Sequence, residues 1–235
     1  MSAHCQAQAL ATDSRQTFTH DSPTWLRAIG RLEVPGTKYE RGLPRNHWEN
    51  CSATLVSRSS ARSANTIITA WHCLEFYRDL SKTITFTLLH GTEQSFSIAA
   101  TRLADGGGMH ADWAVLRLLD PVPADQVAGL SVHPGRADRA RTITMAGYSR
   151  DDHANPRGQR LSYDSACAIT GQSHIPGNSE SNCTALKGAS GGAVVQLSQQ
   201  GEPLLAGVIS QGNGSDLSIF VPVADFRAAI MANLR

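Results

Sequence analysis

Apolar positions in this chain fall in short runs cut by turn residues, and the runs never lengthen enough to suggest a helical core. From residue 25 onward they occupy 25–34, 51–56 and 65–70, then 83–90, 95–101 and 113–119. After the break at Pro121-Val122-Pro123 a second series covers 142–147, 160–168, 192–197, 204–211 and 217–223. Each run is rich in Val, Ile, Thr and Leu and bounded by Gly, Pro, Asn or Asp, the signature of an all-β sandwich or barrel. Similar numbers lie on either side of residues 120–140, which predicts two β units, about 25–120 and 140–223, joined by one linker.

Only the end of the chain reads as a helix. Val223, Phe226, Ile230 and Leu234 recur at +3, +4 and +4, which predicts a helix over 223–234 with one apolar stripe. Asp225 in its first turn and Arg235 at its end suit the helix dipole. The stripe reads as a docking face for the body of the protein.

Residues 1–24 are polar, dominated by Ser, Thr, Gln and His, and read as a flexible leader or pro-segment. The first twenty residues lack the apolar stretch of a secretory signal, although Ala7-Gln8-Ala9 resembles a small-residue cleavage site. The export route is therefore left open.

Composition narrows the class. At 235 residues and 41% hydrophobic content, the chain can bury one substantial core or two small coupled ones. Lys and Arg total 21 against 20 Asp and Glu, so no basic field points to nucleic acid. No apolar run reaches the length of a membrane span. Five cysteines are more informative: Cys51 and Cys73 flank one motif below, Cys167 and Cys183 precede another, and Cys5 stands alone. Two candidate pairs and one leftover point to an oxidising compartment, secreted or periplasmic. Incidental thiols in a cytosolic protein are the competing reading. No CxxC or HxxxH spacing indicates a metal site, and His110 beside Gly106-Gly107-Gly108 reads as a loop residue.

Three motifs carry the chemistry. Thr69-Ala70-Trp71-His72-Cys73 follows an apolar strand, so His72 is held by the sheet yet reaches the rim, as a general base must. A lone His at a strand end is also a common structural residue. Asp112 opens the apolar strand that runs through Trp113 to Leu118, where a carboxylate can accept a hydrogen bond from an imidazole and fix its tautomer. An ordinary turn Asp has the same look. Lys187-Gly188-Ala189-Ser190-Gly191-Gly192 places a serine among glycines just before a strand. Small neighbours let the backbone turn sharply and let the Gly188 and Ser190 N–H groups converge on a developing oxyanion. A flexible turn would read the same way. An α/β-hydrolase elbow is a weaker competitor, because it needs a following helix and a late His, and no His follows His174.

Taken together and in this order, the motifs resemble the trypsin-like serine peptidase family. The spacings are 40 residues (72 to 112) and 78 residues (112 to 190). The resemblance covers residues 25–235, with residues 1–24 outside it. It includes Gly147-Tyr148 at a strand end and Ser210-Gln211-Gly212, where a substrate backbone would pair. It implies two perpendicular six-stranded antiparallel β-barrels with a C-terminal helix, and a triad of Ser190, His72 and Asp112. It also implies an oxyanion hole from the Gly188 and Ser190 amides, and a Cys51–Cys73 disulfide. A Cys167–Cys183 pair looks more like the bacterial branch containing the glutamyl endopeptidases. Thr184, six residues before Ser190, takes the pocket-base position, and Gly212 and Ser218 are further pocket candidates. None is acidic, so Arg/Lys specificity is not implied. The apparent site of a Glu-selecting His holds Ile209. Ala189 stands where zymogen-type relatives carry an acid.

The expectation is therefore a monomeric serine endopeptidase acting on protein or peptide substrates, with no cofactor and no metal. Two other classes compete: a catalytically silent binding protein on the same fold, and a translocated effector peptidase suggested by the missing signal and the single Cys5.

Overall fold

The computed structural model describes residues 13–151 and 155–234. The N-terminal half carries β1 (Gln16–Thr17), β2 (Ile29–Glu40), β3 (Leu43–Val56), β4 (Ser63–Thr69), β5 (Ile84–Leu88), β6 (Phe96–Asp105) and β7 (Ala114–Pro123). Then come β8 (Ser131–Val132), β9 (Ile143–Gly147), β10 (Ser162–Cys167), β11 (Ile169–Gln172), β12 (Ser179–Ser181), β13 (Ala193–Leu197), β14 (Pro203–Gly212), β15 (Ser218–Pro222) and α1 (Arg227–Asn233). The chain is all-β apart from short 3-10 turns and this last helix.

The first unit closes as a six-stranded barrel in the order β2-β3-β4-β7-β6-β5, with β5 returning to β2. Closure leaves no barrel edge to pair with another chain. Its centre is fully buried Leu32, Leu55, Ile67, Ile68, Phe86 and Leu116. Beyond the barrel β2 and β3 continue as a long hairpin, paired to Glu40↔Leu43. Arg41 and Gly42 make its two-residue turn, both with positive φ (51° and 79°), as a hairpin of primed type requires.

The second unit does not form the closed barrel that the resemblance implies. Its hydrogen-bonded order is β1-β10-β9-β13-β14-β15-β12-β11, with β8 parallel to β14. The reason lies between β10 and β11, which are consecutive in the chain. Ala166 takes φ 61° and the register slips between Asp164 and Cys167, so the strand bends. Its first half then pairs with β9 and its second half with β12. The chain itself carries β10 into β11 at the far end of the sheet, with no ladder between the two.

The central strands β9, β13, β14 and β15 bury both faces, which is why they read as nearly unbroken apolar runs. Met145, Val194, Ile209 and Phe220 fill the sheet's own core, while Ala146, Ala193, Val195 and Val208 join the cluster shared with the first barrel. The stripe Val223, Phe226, Ile230 and Leu234 is buried as the periodicity predicts. A 3-10 turn over Val223–Asp225 starts the segment, and α1 proper begins at Arg227. Arg235 lies outside the described residues. The cations at the helix C-terminus come from the barrel instead: Arg117 donates to the Asn233 carbonyl and Arg58 to that of Leu234.

Residues 13–22, read above as the end of a flexible leader, are docked on the second unit. β1 pairs with β10, Phe18 N donates to the Leu161 carbonyl, and the Ser14 hydroxyl donates to Asp164 at 2.8 Å. No helix among the described residues is long and apolar enough to cross a membrane.

Candidate active site

His72 lies in the 3-10 turn Trp71–Leu74 that follows β4, and Asp112 lies just before β7, the neighbour of β4 in the barrel. Strand pairing therefore brings together two residues 40 positions apart. Asp112 is fully buried and accepts three hydrogen bonds: from His72 N at 2.9 Å, His72 Nδ1 at 2.8 Å and Ser210 Oγ at 2.5 Å. A carboxylate only accepts, so Nδ1 carries the proton and Nε2 of the neutral ring keeps its lone pair. Burial is the largest influence on the His72 pKa and acts to lower it. The hydrogen bond and charge of Asp112, with smaller help from Glu49 and Glu75, outweigh it and hold the pKa above the ordinary value.

Ser190 sits between the units. Its carbonyl accepts from Ser52 N at 2.8 Å, and Cys73 Sγ lies 3.8 Å from the same oxygen. That sulfur belongs to the Cys51–Cys73 disulfide and has no proton to donate, so this is a packing contact. The contact sets Ser190 against the turn that bears His72. The side-chain hydrogen bond of His72 among the described residues is that to Asp112, without a direct bond to Ser190. Bonds of that kind commonly tighten only once a substrate is bound.

The glycines flanking Ser190 are dictated by space. Gly191 has φ 79°, and a Cβ there would lie 2.3 Å from the Ser52 carbonyl oxygen. Gly188 has φ 96°, and its Cβ would lie 2.5 Å from the Tyr148 carbonyl oxygen. Three neighbouring amides are committed: Ala189 N to Leu186 O, Gly191 N to Ile209 O and Gly192 N to Ala189 O. Among the described residues, the Gly188 and Ser190 amides donate to no protein acceptor. The Lys187 carbonyl accepts from Arg150 N at 2.7 Å. In a trans peptide the following N–H points the opposite way, so the Gly188 donor is turned from Arg150.

Next to Ser190 opens a cleft of about 480 Å³ lined by Ala185–Lys187 on one side and Ile209–Gly214 on the other. Of the sequence-derived pocket residues, Ser210, Gln211 and Gly212 line it and Thr184 and Ser218 do not. Their hydroxyls hold its walls instead: Thr184 Oγ1 donates to the Ser215 carbonyl at 2.5 Å, and Ser218 Oγ to that of Cys183 at 2.8 Å. Ser210 has a second task, because the register of β14 against β15 slips between Ile209 and Gln211. The extra residue turns its hydroxyl inward to Asp112.

Cys167–Cys183 forms the second disulfide, beside the buried carboxylate of Asp164. Cys5 lies outside the described residues. Cys51 with His72 and Cys73, and Asp164 with Cys167 and Cys183, are the groupings with metal-ligand proximity. Each contains both sulfurs of a disulfide, which offer no thiolate.

A buried acid–imidazole pair and a glycine-flanked serine, set between a closed barrel and a second β-sheet, define a protein of the chymotrypsin-like class. The trypsin family model matches residues 40–230, and the chain belongs to the trypsin family of serine peptidases. Among solved structures it is similar to a thermostable serine protease, AL20, from an extremophilic microorganism. There the TM-score is 0.65 at 18% identity, over 89% of this chain and 98% of that one. It is also similar to the protease Anisep from Arthrobacter nicotinovorans, with TM-score 0.63 at 20% identity, over 88% and 93%. These identities establish a shared fold. No curated protein matches the sequence.

Proposed function

We propose that the chain is a serine endopeptidase that hydrolyses peptide bonds through an acyl-enzyme. Ser190 Oγ attacks the scissile carbonyl as its proton passes to His72 Nε2, and the carbonyl electron pair moves onto oxygen. The Gly188 and Ser190 amides receive that oxyanion. On collapse the C–N bond breaks and the leaving amine takes the proton from Nε2. Water, deprotonated by the same nitrogen, then releases the acyl group and restores Ser190. Asp112 orients the ring and stabilises its cationic form. The observation that carries this reading is the pair of uncommitted amides at Gly188 and Ser190, set among the paired amides of Ala189, Gly191 and Gly192 and beside the buried Asp112–His72 pair.

The substrate strand pairs with Ser210–Gly212, because β13 follows β14 only as far as Ala193↔Val208 and leaves that edge open. The two disulfides suit an oxidising, secreted or periplasmic setting. The likeness to the glutamyl-endopeptidase branch rests on Cys167–Cys183 alone, and buried Ile209 gives the pocket wall no imidazole for a Glu side chain.

A fluorophosphonate is expected to label Ser190 and no other residue. Ser190→Ala and His72→Ala are each expected to lower turnover on the order of 10⁶-fold with the fold intact. Full activity in Ser190→Ala, or labelling elsewhere, overturns the assignment. An unlabelled, inactive wild-type protein favours the silent binding protein instead.

A further inference from the structure

Ser52 follows Cys51 on β3, is fully buried, and has every polar atom engaged. Its Oγ accepts from Tyr148 N at 2.8 Å and donates to the Gly188 carbonyl at 2.8 Å. Its amide donates to the Ser190 carbonyl at 2.8 Å, and its own carbonyl accepts from Thr69 Oγ1 at 2.8 Å. One residue of the first barrel thus grips the Gly188–Ala189 and Ser190–Gly191 peptide units and ties them to the end of β9.

That grip matters because, among the described residues, nothing else bonded to the loop holds the Gly188 carbonyl. Ala189 offers no polar side chain, and Gly188, at φ 96°, has no Cβ to restrict rotation of its peptides. The Lys187–Gly188 peptide is oriented at its carbonyl by Arg150 N, and the Gly188–Ala189 peptide at its carbonyl by Ser52 Oγ and at its amide by Leu186 O. If the Ser52 bond is lost, the Gly188 carbonyl is left buried without a donor. Turning that peptide to re-solvate it also breaks the Ala189 N bond to Leu186 O, and the glycine, with no Cβ to restrict it, can then reset its φ and turn its own N–H from the cleft. We propose that Ser52 is a positioning residue, whose hydroxyl relays the Tyr148 amide to the Gly188 carbonyl and so keeps the Gly188 N–H aimed at the oxyanion. This rests on the serine-peptidase reading. The hydroxyl receives a hydrogen bond as it gives one, which strengthens the bond it gives.

The test compares wild type, Ser52→Ala, Ser52→Thr and Thr66→Val in the full chain. Thr66→Val removes an equally buried hydroxyl bond, to the Asn233 carbonyl at 3.1 Å, on the face of the barrel that carries α1. Ser52→Ala is expected to lower kcat roughly 10- to 100-fold with little change in KM, because an aligned donor is lost only in the transition state. Thr66→Val is expected to lose stability and keep kcat. In a ¹³C-labelled trifluoromethyl ketone adduct of Ser190, the hemiketal pKa is expected to rise in Ser52→Ala. A folded Ser52→Thr, which keeps the hydroxyl, is expected to stay at the wild-type value. Ser52→Ala with wild-type kcat and hemiketal pKa overturns the proposal. So does a loss of kcat that tracks stability equally in Ser52→Ala and Thr66→Val, or a folded Ser52→Thr whose hemiketal pKa rises. Failure of wild-type Ser190 to form the adduct overturns the peptidase reading, and the relay with it.

Discussion

The Ser210 hydroxyl and the His72 ring share one oxygen, Asp112 Oδ2, at 2.5 and 2.8 Å, and the second oxygen of Asp112 takes the His72 amide at 2.9 Å. The acid belongs to the first barrel and Ser210 to the second unit, so this carboxylate is a junction between them. A buried carboxylate is stable only when its lone pairs are met, and here they are met by donors that also fix the imidazole plane. Ser210→Ala removes one donor to a charged group, which costs about 1.5–3 kcal/mol. Its kcat/KM should fall at least tenfold, measured on any peptide substrate that wild type cleaves.

His72 gives the pH dependence its sign. Its folded pKa lies above the ordinary 6.5, and the base must be neutral to accept the Ser190 proton. Activity should therefore fall as pH drops through a midpoint above 6.5. Stability runs the other way. The contribution of protonated His72 is fully present below about 6.5 and is lost as pH rises through the folded pKa. Asp112→Asn removes the largest influences that raise the pKa and leaves burial opposed by Glu49 and Glu75 alone, so the acid limb should shift to lower pH while turnover drops by about 10⁴-fold. A pH–rate profile of both proteins checks the direction.

The apolar runs were legible because both faces of the second sheet's central strands are buried, and the serine box because its glycines answer to close contacts. What could not be read has physical causes. β11 and β12 are short and polar, and they exist because the chain bends at Ala166. The outer part of the β2–β3 hairpin exposes Tyr39, Leu43 and Trp48, so no burial pattern announces it. Residues 13–22 look like leader in composition, yet their order comes from the free edge of β10 and from Asp164. The roles of Ser52 and Ser210 depend on where a hydroxyl points, and for Ser210 on a bulge, which spacing does not encode.

The two disulfides should resist loss unequally. Each closes a loop, with sequence separations of 22 and 16, worth about 3 kcal/mol by chain entropy. Cys51–Cys73 also braces the turn carrying His72, so Cys51→Ala/Cys73→Ala should lose activity beyond its loss of stability. Cys167→Ala/Cys183→Ala should mainly lower the melting temperature. Non-reducing peptide mapping should show these two links and no others among the four residues.

Cleavage should not favour Arg or Lys before the scissile bond. The hydroxyls of Thr184 and Ser218 are spent on main-chain carbonyls, and among the described residues Lys187 is the one charged residue lining the cleft. A buried substrate cation would find no counter-charge there and would meet a like charge at Lys187. Small, neutral polar or medium apolar side chains should dominate a peptide-library digest read by mass spectrometry. A strong basic preference in that digest would contradict this account of the pocket.

Activity should not depend on burying a newly formed N-terminus beside Ser190. Such a switch needs an acid to pair with the incoming α-amine, and Ala189 is both neutral and 2% exposed. It is packed so closely that a Cβ added at Gly147 would lie 2.8 Å from its Cα. An unpaired ammonium at that depth costs several kcal/mol, so insertion is disfavoured. The N-terminal segment is instead engaged elsewhere, with Ser14 on the Asp164 oxygen that also accepts Thr184 N at 2.7 Å. Chains starting at successive positions from Asp21 to Ala28 all lack β1 and Ser14 and should lose some stability, those starting at Arg27 or Ala28 the most because they also lose fully buried Leu26. Among them, activity should vary little with the starting residue, and acetylating the N-terminus should change nothing. A single active start that acetylation abolishes would show that a free terminus does reach the serine loop, and that Ala189 is not the barrier inferred from its packing.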